Sequence, residues 1–421
     1  MPSNAAVTYP RFLQARLVEA LADTPVVLLH GPRQCGKTTL ARQVCEPVGY
    51  GYLSFDDDVL RAAALADPVG FVGDLPPRMV LDEVQRVPEI FTSLKVAVDR
   101  DRSPGRFLLT GSANVLLLPK LADSLAGRIE TQRLHPLAQC ELAGRDSGFL
   151  DALFAGTFAR RPFARLSAEL AERVAAGGFP AALARQASRR REWYRAYLDA
   201  RVQRDVQDLR RIAALDTLPR LMAAAAAQTA RLVNVSDLAG PFQVSRPTIR
   251  DYVMLLERLF LIEQLPPWHS NRLSRLVKAP KLHLCDTGLA ASLLRVDAAG
   301  LMRDRALLGQ LLETFVLQEL RRMTSWQVEP IAFHHFRDKD GVEVDLVLER
   351  SADELAGIEV KAAATVVEAD FRGLRKLQAA TGSRFRCGVV LYDGEHVLRF
   401  GVDLYAVPIR ALWETAQAER V

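Results

Sequence analysis

The chain has 421 residues, 49% hydrophobic and 25% charged, with a formal net charge of +5. That is an ordinary globular composition, at a length that suits roughly three domains, and the mild positive charge is compatible with a polyanionic partner without requiring one. Five scattered cysteines (Cys35, Cys45, Cys140, Cys285, Cys387) form no CxxC pair, which argues against a disulfide framework or zinc site and for a reducing cytosol; the N-terminus lacks an apolar h-region, and no apolar run is long enough to span a bilayer.

The first element is "TPVVLLHGPRQCGKTTLARQV". Val26 to Leu29 is wholly apolar, as expected of a buried parallel strand. Gly31 to Thr38 then fits GxxxxGK[ST], and a helical pattern follows, so the glycine-rich loop has the strand–loop–helix context that a P-loop requires. Backbone N–H groups of Gly31, Pro32, Arg33, Gln34, Cys35 and Gly36 frame the loop, apart from the proline, which has none, and Lys37, Thr38 and Thr39 open the helix. Such a loop cradles phosphate oxygens. Lys37 would reach the β- and γ-phosphates of ATP, and the Thr38 hydroxyl would ligate Mg²⁺.

The next apolar run, Met79 to Leu81 in "RMVLDEVQRVP", ends on Asp82 and Glu83. An acid at a strand's carboxyl end in a P-loop domain holds Mg²⁺. The acid after it is placed to orient and deprotonate the attacking water; a helix-starting Asp-Glu pair is the plainer alternative. A third strand, "RFLLTGSAN", ends in Thr110, Ser112 and Asn114. Spacing does not decide which of these polar groups senses the γ-phosphate; Ser112 is a candidate nucleotide-binding residue. In "LAGRIE", Arg128 is a cation for transition-state charge, acting in cis or from a neighbouring subunit, or an ordinary surface arginine.

With these elements in view, the chain resembles the bacterial and archaeal AAA+-type ATPases that carry a DUF4143 region after the ATPase domain. The resemblance rests on "GPRQCGKTTL", "LDEVQ", "LLTGSAN", "SLAGRIETQRLHPL", "GGFP" (Gly177 to Pro180), "KLHLCDTGLA" (Lys281 to Ala290) and "GQLLETFVLQEL" (Gly309 to Leu320). It implies ATP binding, ATP hydrolysis and a multidomain layout, but no defined cellular role.

Between residues 150 and 230 the periodicity is helical. "RQASRRREWYRAYLDARVQRDVQDLRRI" carries nine arginines against four acids, with Trp193, Tyr197, Val202 and Val206 at near-helical spacing. A solvated charged face explains it most simply; a nucleic-acid contact is the alternative. Residues 231 to 286 read as a winged helix-turn-helix. A short helix should end near Ala239, Ser245 should cap a second helix with Pro247 in its first turn, and Ile249, Tyr252, Val253 and Leu256 should be buried. Phe260 to Glu263 and Leu282 to Cys285 would be wing strands. In a DNA reader, Arg246, Thr248 and Arg250 would face the groove, with Arg272, Arg275 and Lys278 in the wing. A packing module without DNA contact is the competing reading.

Near the C-terminus, "FHHFRDKDGVEVDLVLE" reads as a hairpin turning at Asp340-Gly341, with Glu343 and Asp345 on one strand face. Glu359 and Lys361 follow in "GIEVKAA", and Glu313 lies on a preceding helix. An acid on a helix, an acid on a strand and E-x-K on the next strand resemble the PD-(D/E)xK nuclease core, although Val344 stands where the proline of that name would be. Asp345 and Glu359, with Glu313 nearby, would hold a divalent cation, and Lys361 would position water and stabilise phosphorane charge. A Glu–Lys surface pair is the alternative. The expected fold is α/β: a P-loop AAA+-like ATPase domain (1–145), a helical lid or connector (146–230), a winged helix-turn-helix (231–290) and a nuclease-like α/β domain (291–421). ATP and Mg²⁺ are the expected cofactors. DNA and further copies of the chain are candidate partners, no membrane is expected, and the place is the cytoplasm. The expected function is ATP binding and hydrolysis coupled to DNA through the winged-helix and nuclease-like domains; the competing function is an ATP-driven switch or scaffold whose nuclease-like domain is inactive and binds protein.

Overall fold

In the computed structural model of the chain, which describes residues 9–112, 127–209, 217–233, 245–269 and 279–414, the first apolar run is strand β1, Val26–His30, buried at every position. Both its faces are covered, which is why its residues do not alternate with polar ones. Val26 and Leu28 pack with Phe91, Leu94 and Val98 of the helix Ile90–Arg100. Val27 and Leu29 pack with Leu13 and Leu17 of the helix Leu13–Asp23 and with Leu40 of the helix Lys37–Cys45. Strands β2 (Gly51–Ser54), β3 (Met79–Asp82), β4 (Phe107–Gly111) and β5 (Ile129–Arg133) complete a five-stranded sheet in the order β2-β3-β4-β1-β5. All its pairings are parallel, so the carboxyl ends of all five strands line one edge, where ligands bind in open α/β sheets.

The described residues group into two compact units. This sheet and its helices form one, Pro10–Leu137 with Arg258–Phe260; Met1–Tyr9, Ala138–Glu257 and Leu261–Val421 form the other. Asn114, the helix expected before Ala239, and Arg272, Arg275 and Lys278 lie outside the described residues.

Among the described residues from 138 to 227 the named elements of the second unit are helices, as the periodicity predicts, the longest of them Ala187–Leu209. Trp193 and Tyr197 stack with ring centroids 5.2 Å apart; the side chains of Val202 and Val206 lie outside the described residues. A three-stranded antiparallel sheet follows, ordered β6-β8-β7 (β6, Arg231–Leu232; β7, Ile262–Leu265; β8, Lys281–Leu284). The helix Arg246–Arg258 precedes β7, and Ser245 caps it, accepting from Thr248 N at 3.3 Å. Ile249, Tyr252, Val253 and Leu256 are buried. The strand expected from Phe260 begins two residues later, because Phe260 has a φ of 56°, outside the strand region.

A mixed six-stranded sheet, ordered β13-β14-β12-β11-β10-β9, closes the chain. Its strands are β9 (Ala332–Arg337), β10 (Glu343–Ser351), β11 (Glu354–Lys361), β12 (Phe385–Tyr392), β13 (Leu398–Gly401) and β14 (Leu404–Pro408). The β9–β10 turn falls at Asp338–Val342, where the Asp338 carboxylate accepts from the backbone N–H groups of Asp340 and Val342 at 2.9 and 2.8 Å. Val344, Val347, Leu374 and Leu377 belong to one core, so the helix Arg372–Thr381 packs on this sheet.

Two motifs that stand out in the sequence meet at Asp286, which is fully buried. One carboxylate oxygen accepts from Gly178 N (2.7 Å) and Arg322 Nη2 (3.2 Å). The other accepts from Gly288 N and Leu289 N, capping the helix Thr287–Leu293, and lies 2.9 Å from the Tyr194 hydroxyl. Gly177 has a φ of 69°, and a Cβ there would collide with the Asp286 carboxylate, so "GGFP" needs its first glycine on two counts. Arg322 also donates to buried Glu319 at 2.7 Å. Asp286→Ala leaves Arg322, itself buried, with one carboxylate fewer. Breaking such a pair costs about 3–5 kcal/mol, a loss of stability to be read from urea unfolding of this variant.

Candidate functional site

Gly36 precedes Lys37 with a φ of 105°, a backbone conformation that L side chains rarely adopt, and this turns the loop into its helix. The Lys37 ammonium curls back over the loop and donates to the carbonyls of Gly31 and Pro32 at 3.0 and 2.9 Å. Arg11 braces the loop from outside, donating to the carbonyls of Cys35 (2.7 Å) and His135 (2.6 Å). Sequence reasoning missed Arg11, because nothing local links it to a loop more than twenty residues on.

Asp82 ends β3 beside this loop. It accepts from the Thr38 hydroxyl at 3.1 and 3.2 Å, from Tyr52 at 2.8 Å and from Thr110. A hydroxyl and a carboxylate side by side, both hard oxygen donors, fit Mg²⁺, which takes one or two carboxylates along with phosphate oxygens. Burial, then the bond to Asp82, pushes the Tyr52 phenol above its usual range. Tyr52 was not foreseen, since its strand carries no motif.

Glu83 has a φ of 58°, rare for a residue with a side chain. Its backbone N–H is held by Thr110 Oγ1 at 3.2 Å. The carboxylate accepts from the Ser112 hydroxyl at 2.8 Å and from the Gln85 amide, and Gln85 in turn donates to Ser112 Oγ at 3.0 Å. Burial alone would raise the Glu83 carboxyl. The charge of Lys37, the bonds from Ser112 and Gln85, and the charge of Arg33 outweigh it and hold the group below the usual carboxylate range. Glu83 is thus an ionised carboxylate beside this loop, tied to Ser112. His30, at the end of β1, is driven by burial and then by Arg133 and Lys37 down to about 3, and so is neutral.

Arg128 lies elsewhere. It pairs with Asp99 at 2.7 and 3.1 Å and immediately precedes β5, which runs parallel to β1 with Val26 opposite Ile129. It therefore sits at the amino edge of the sheet. At about 3.3 Å per residue, the length of β5 puts it about 16 Å from the edge that carries the P-loop. Strand direction thus sets Arg128 at the sheet edge opposite the one that carries the P-loop.

In the second unit, β10 and β11 are antiparallel with Leu346 opposite Ile358, which brings Asp345 and Glu359 side by side. Val360 N donates to Asp345 Oδ2 at 3.0 Å, and Lys361 donates to Glu359 at 3.0 Å. Glu313 projects from the helix Arg305–Thr324. Between Glu313 and Asp345 lies a residue that sequence reasoning did not place here, Lys281 of β8. Its ammonium is 2.7 Å from Glu313 Oε1 and 3.3 Å from Asp345 Oδ1. Burial would favour its neutral form, but Asp345 and Glu313 outweigh burial and keep it charged. Burial and the Asp345 charge push the Glu359 carboxyl up to about 8, and one of its oxygens is buried without a hydrogen-bond partner. Among the described residues no three His, Cys, Asp or Glu side chains are grouped to hold a metal ion; Lys281 lies between Glu313 and Asp345, and Lys361 lies against Glu359. All five cysteines are buried free thiols, and among the described residues no helix is long and apolar enough to cross a membrane.

Three family models match the chain: an AAA domain over residues 23–143, a domain of unknown function, DUF8612, over 167–300, and another, DUF4143, over 308–412. Over 409 residues the chain is 31% identical to the uncharacterized proteins Rv2008c of Mycobacterium tuberculosis and Mb2031c of Mycobacterium bovis, a match covering 97% of this chain and 85% of each relative. Among solved structures it is similar to a Walker-type ATPase of Pyrococcus abyssi (16% identity, TM-score 0.43, 68% of this chain and 96% of that one). It is also similar to the RuvB Holliday junction branch migration motor of Thermotoga maritima (18% identity, TM-score 0.31, 69% and 96%).

Proposed function

The chain belongs to the P-loop AAA-type ATPases that carry a C-terminal DUF4143 domain, and from this we propose that it binds ATP with Mg²⁺, hydrolyses it, and uses the cycle to switch its second unit as a binding module. The observation that carries the reading is the convergence of Lys37, Thr38, Asp82 and ionised Glu83 at one edge of a parallel sheet. Thr38 and Asp82 would hold Mg²⁺, which supplies charge neutralisation to the β- and γ-phosphates when bound. The loop N–H groups and Lys37 hold phosphate oxygens. Glu83 takes the proton of the attacking water. Ser112, already bonded to Glu83, links the base to the γ-phosphate position.

Arg128 acts in trans, which makes an oligomer the working unit. Its place at the sheet edge away from its own P-loop supports this, because only a neighbouring subunit's nucleotide could be within its reach. Arg128→Ala should slow hydrolysis by about 10³-fold or more, the scale on which arginine fingers act. Mixing that variant with Lys37→Ala subunits should restore turnover in a phosphate-release assay. If mixing restores nothing and Arg128→Ala alone matches wild type, the arginine is an ordinary partner of Asp99.

The second unit is read as a winged helix joined to a nuclease-like sheet that does not cut. The lysine between Glu313 and Asp345 supports the non-cutting form. A reading with DNA as the partner is favoured by Arg246 and Arg250, both exposed at the start of the capped helix. Measuring ATP turnover with and without duplex DNA separates the two: stimulation by DNA favours nucleic acid, and turnover indifferent to DNA favours a protein partner.

A further inference from the structure

We propose that the Lys281 ammonium is the resident cation of the acidic cluster on β10 and β11, filling with a side chain the position that a nuclease-like site gives to a divalent metal. The inference rests on the nuclease-like reading of this sheet. Lys281 is delivered from another sheet: it opens β8, in the three-stranded β6-β8-β7 layer. Its side chain is only 4% exposed, so its charge is committed to the acids and not to water. It reaches Glu313 at 2.7 Å and Asp345 at 3.3 Å, with Glu343 at 3.9 Å.

A metal ligated by both Glu313 and Asp345 would occupy the space in which Nζ lies. Mg²⁺ needs oxygen ligands at about 2.0–2.1 Å in near-octahedral array, and an ammonium lodged between two of them denies it both the room and the charge. The remaining oxygen of Asp345 is engaged by Val360 N, and Lys361 sits on Glu359. Each of the three acids thus has a lysine against it, and the excess negative charge that would draw in a metal is met from within the chain. The acids act as the anchor of β8: they fix the end of one sheet against the face of another through a buried ion pair, and a pair of this kind specifies position more than it adds stability.

Mn²⁺ binding to the nucleotide-free full-length chain tests this, read by electron paramagnetic resonance, with Asp345→Asn as the marker of the site. Wild type and Asp345→Asn should bind Mn²⁺ alike up to millimolar concentrations. Lys281→Ala should gain one site at least about tenfold tighter than any in wild type, lost again when Asp345→Asn is added, while Lys281→Arg should gain none. A wild-type Mn²⁺ site that Asp345→Asn removes would overturn the proposal, as would a folded Lys281→Ala protein that gains nothing. If Lys281→Ala does not fold, the comparison of wild type with Asp345→Asn decides alone. ATP turnover in the same samples keeps this outcome separate from the ATPase reading: a metal site found beside intact turnover ends only the resident-cation proposal.

Discussion

Lys37→Ala should lower ATP affinity on the order of a hundredfold while leaving the fold intact. The ammonium is buried, and its described partners are the carbonyls of Gly31 and Pro32. These neutral acceptors would be exchanged for charged phosphate oxygens when nucleotide binds. A hydrogen bond to a charged group contributes about 1.5–3 kcal/mol, or about ten- to 150-fold in affinity, and Lys37 can make two such contacts. The helix Lys37–Cys45 loses nothing by gaining alanine, the best helix former. Calorimetry of ATP binding with Mg²⁺ measures the effect. An unchanged dissociation constant in a folded variant would remove the phosphate-binding role from this loop.

Glu83→Gln should retain ATP binding and slow turnover by about 10²–10⁴-fold, the range that general base catalysis contributes. The substitution keeps shape, and a carboxamide oxygen can still accept from the Ser112 hydroxyl, so the clasp with Ser112 and Gln85 survives. What is lost is the charged acceptor for the water's proton. Lys37, Arg33 and the two donors keep the Glu83 carboxyl ionised despite its burial, and a carboxamide has no equivalent state. Single-turnover hydrolysis beside a binding isotherm separates the two effects. Turnover equal to wild type would require another base.

What was legible in the sequence follows the range of the interactions. β1, β3 and β4 were visible because burial on both faces leaves an unbroken apolar run, and the loop after β1 because phosphate binding fixes residue types at fixed local spacing. The Ser245 cap and the buried stripe behind it were visible for the same reason. Side chains that arrive from far along the chain were not. Tyr52 reaches Asp82, Arg11 reaches Cys35, and Lys281 reaches Glu313 and Asp345, and no local pattern marks any of these pairs. "GGFP" and "CDTGLA" stood out as motifs, yet their common purpose, the shell around Asp286, exists only once Gly178 and Asp286 meet across 108 residues. Arg128 was recognised as a candidate cation, but its distance from its own P-loop depends on β5 running parallel to β1, which the short, half-polar "IETQR" did not disclose.

The account stands most directly on one measurement, phosphate release from ATP by the wild-type chain in Mg²⁺ and in excess chelator. Lys37, Thr38, Asp82 and Glu83 at one sheet edge predict turnover in Mg²⁺ that chelation abolishes. Wild-type chain that binds ATP yet releases no phosphate in Mg²⁺, alone or with DNA, would contradict it.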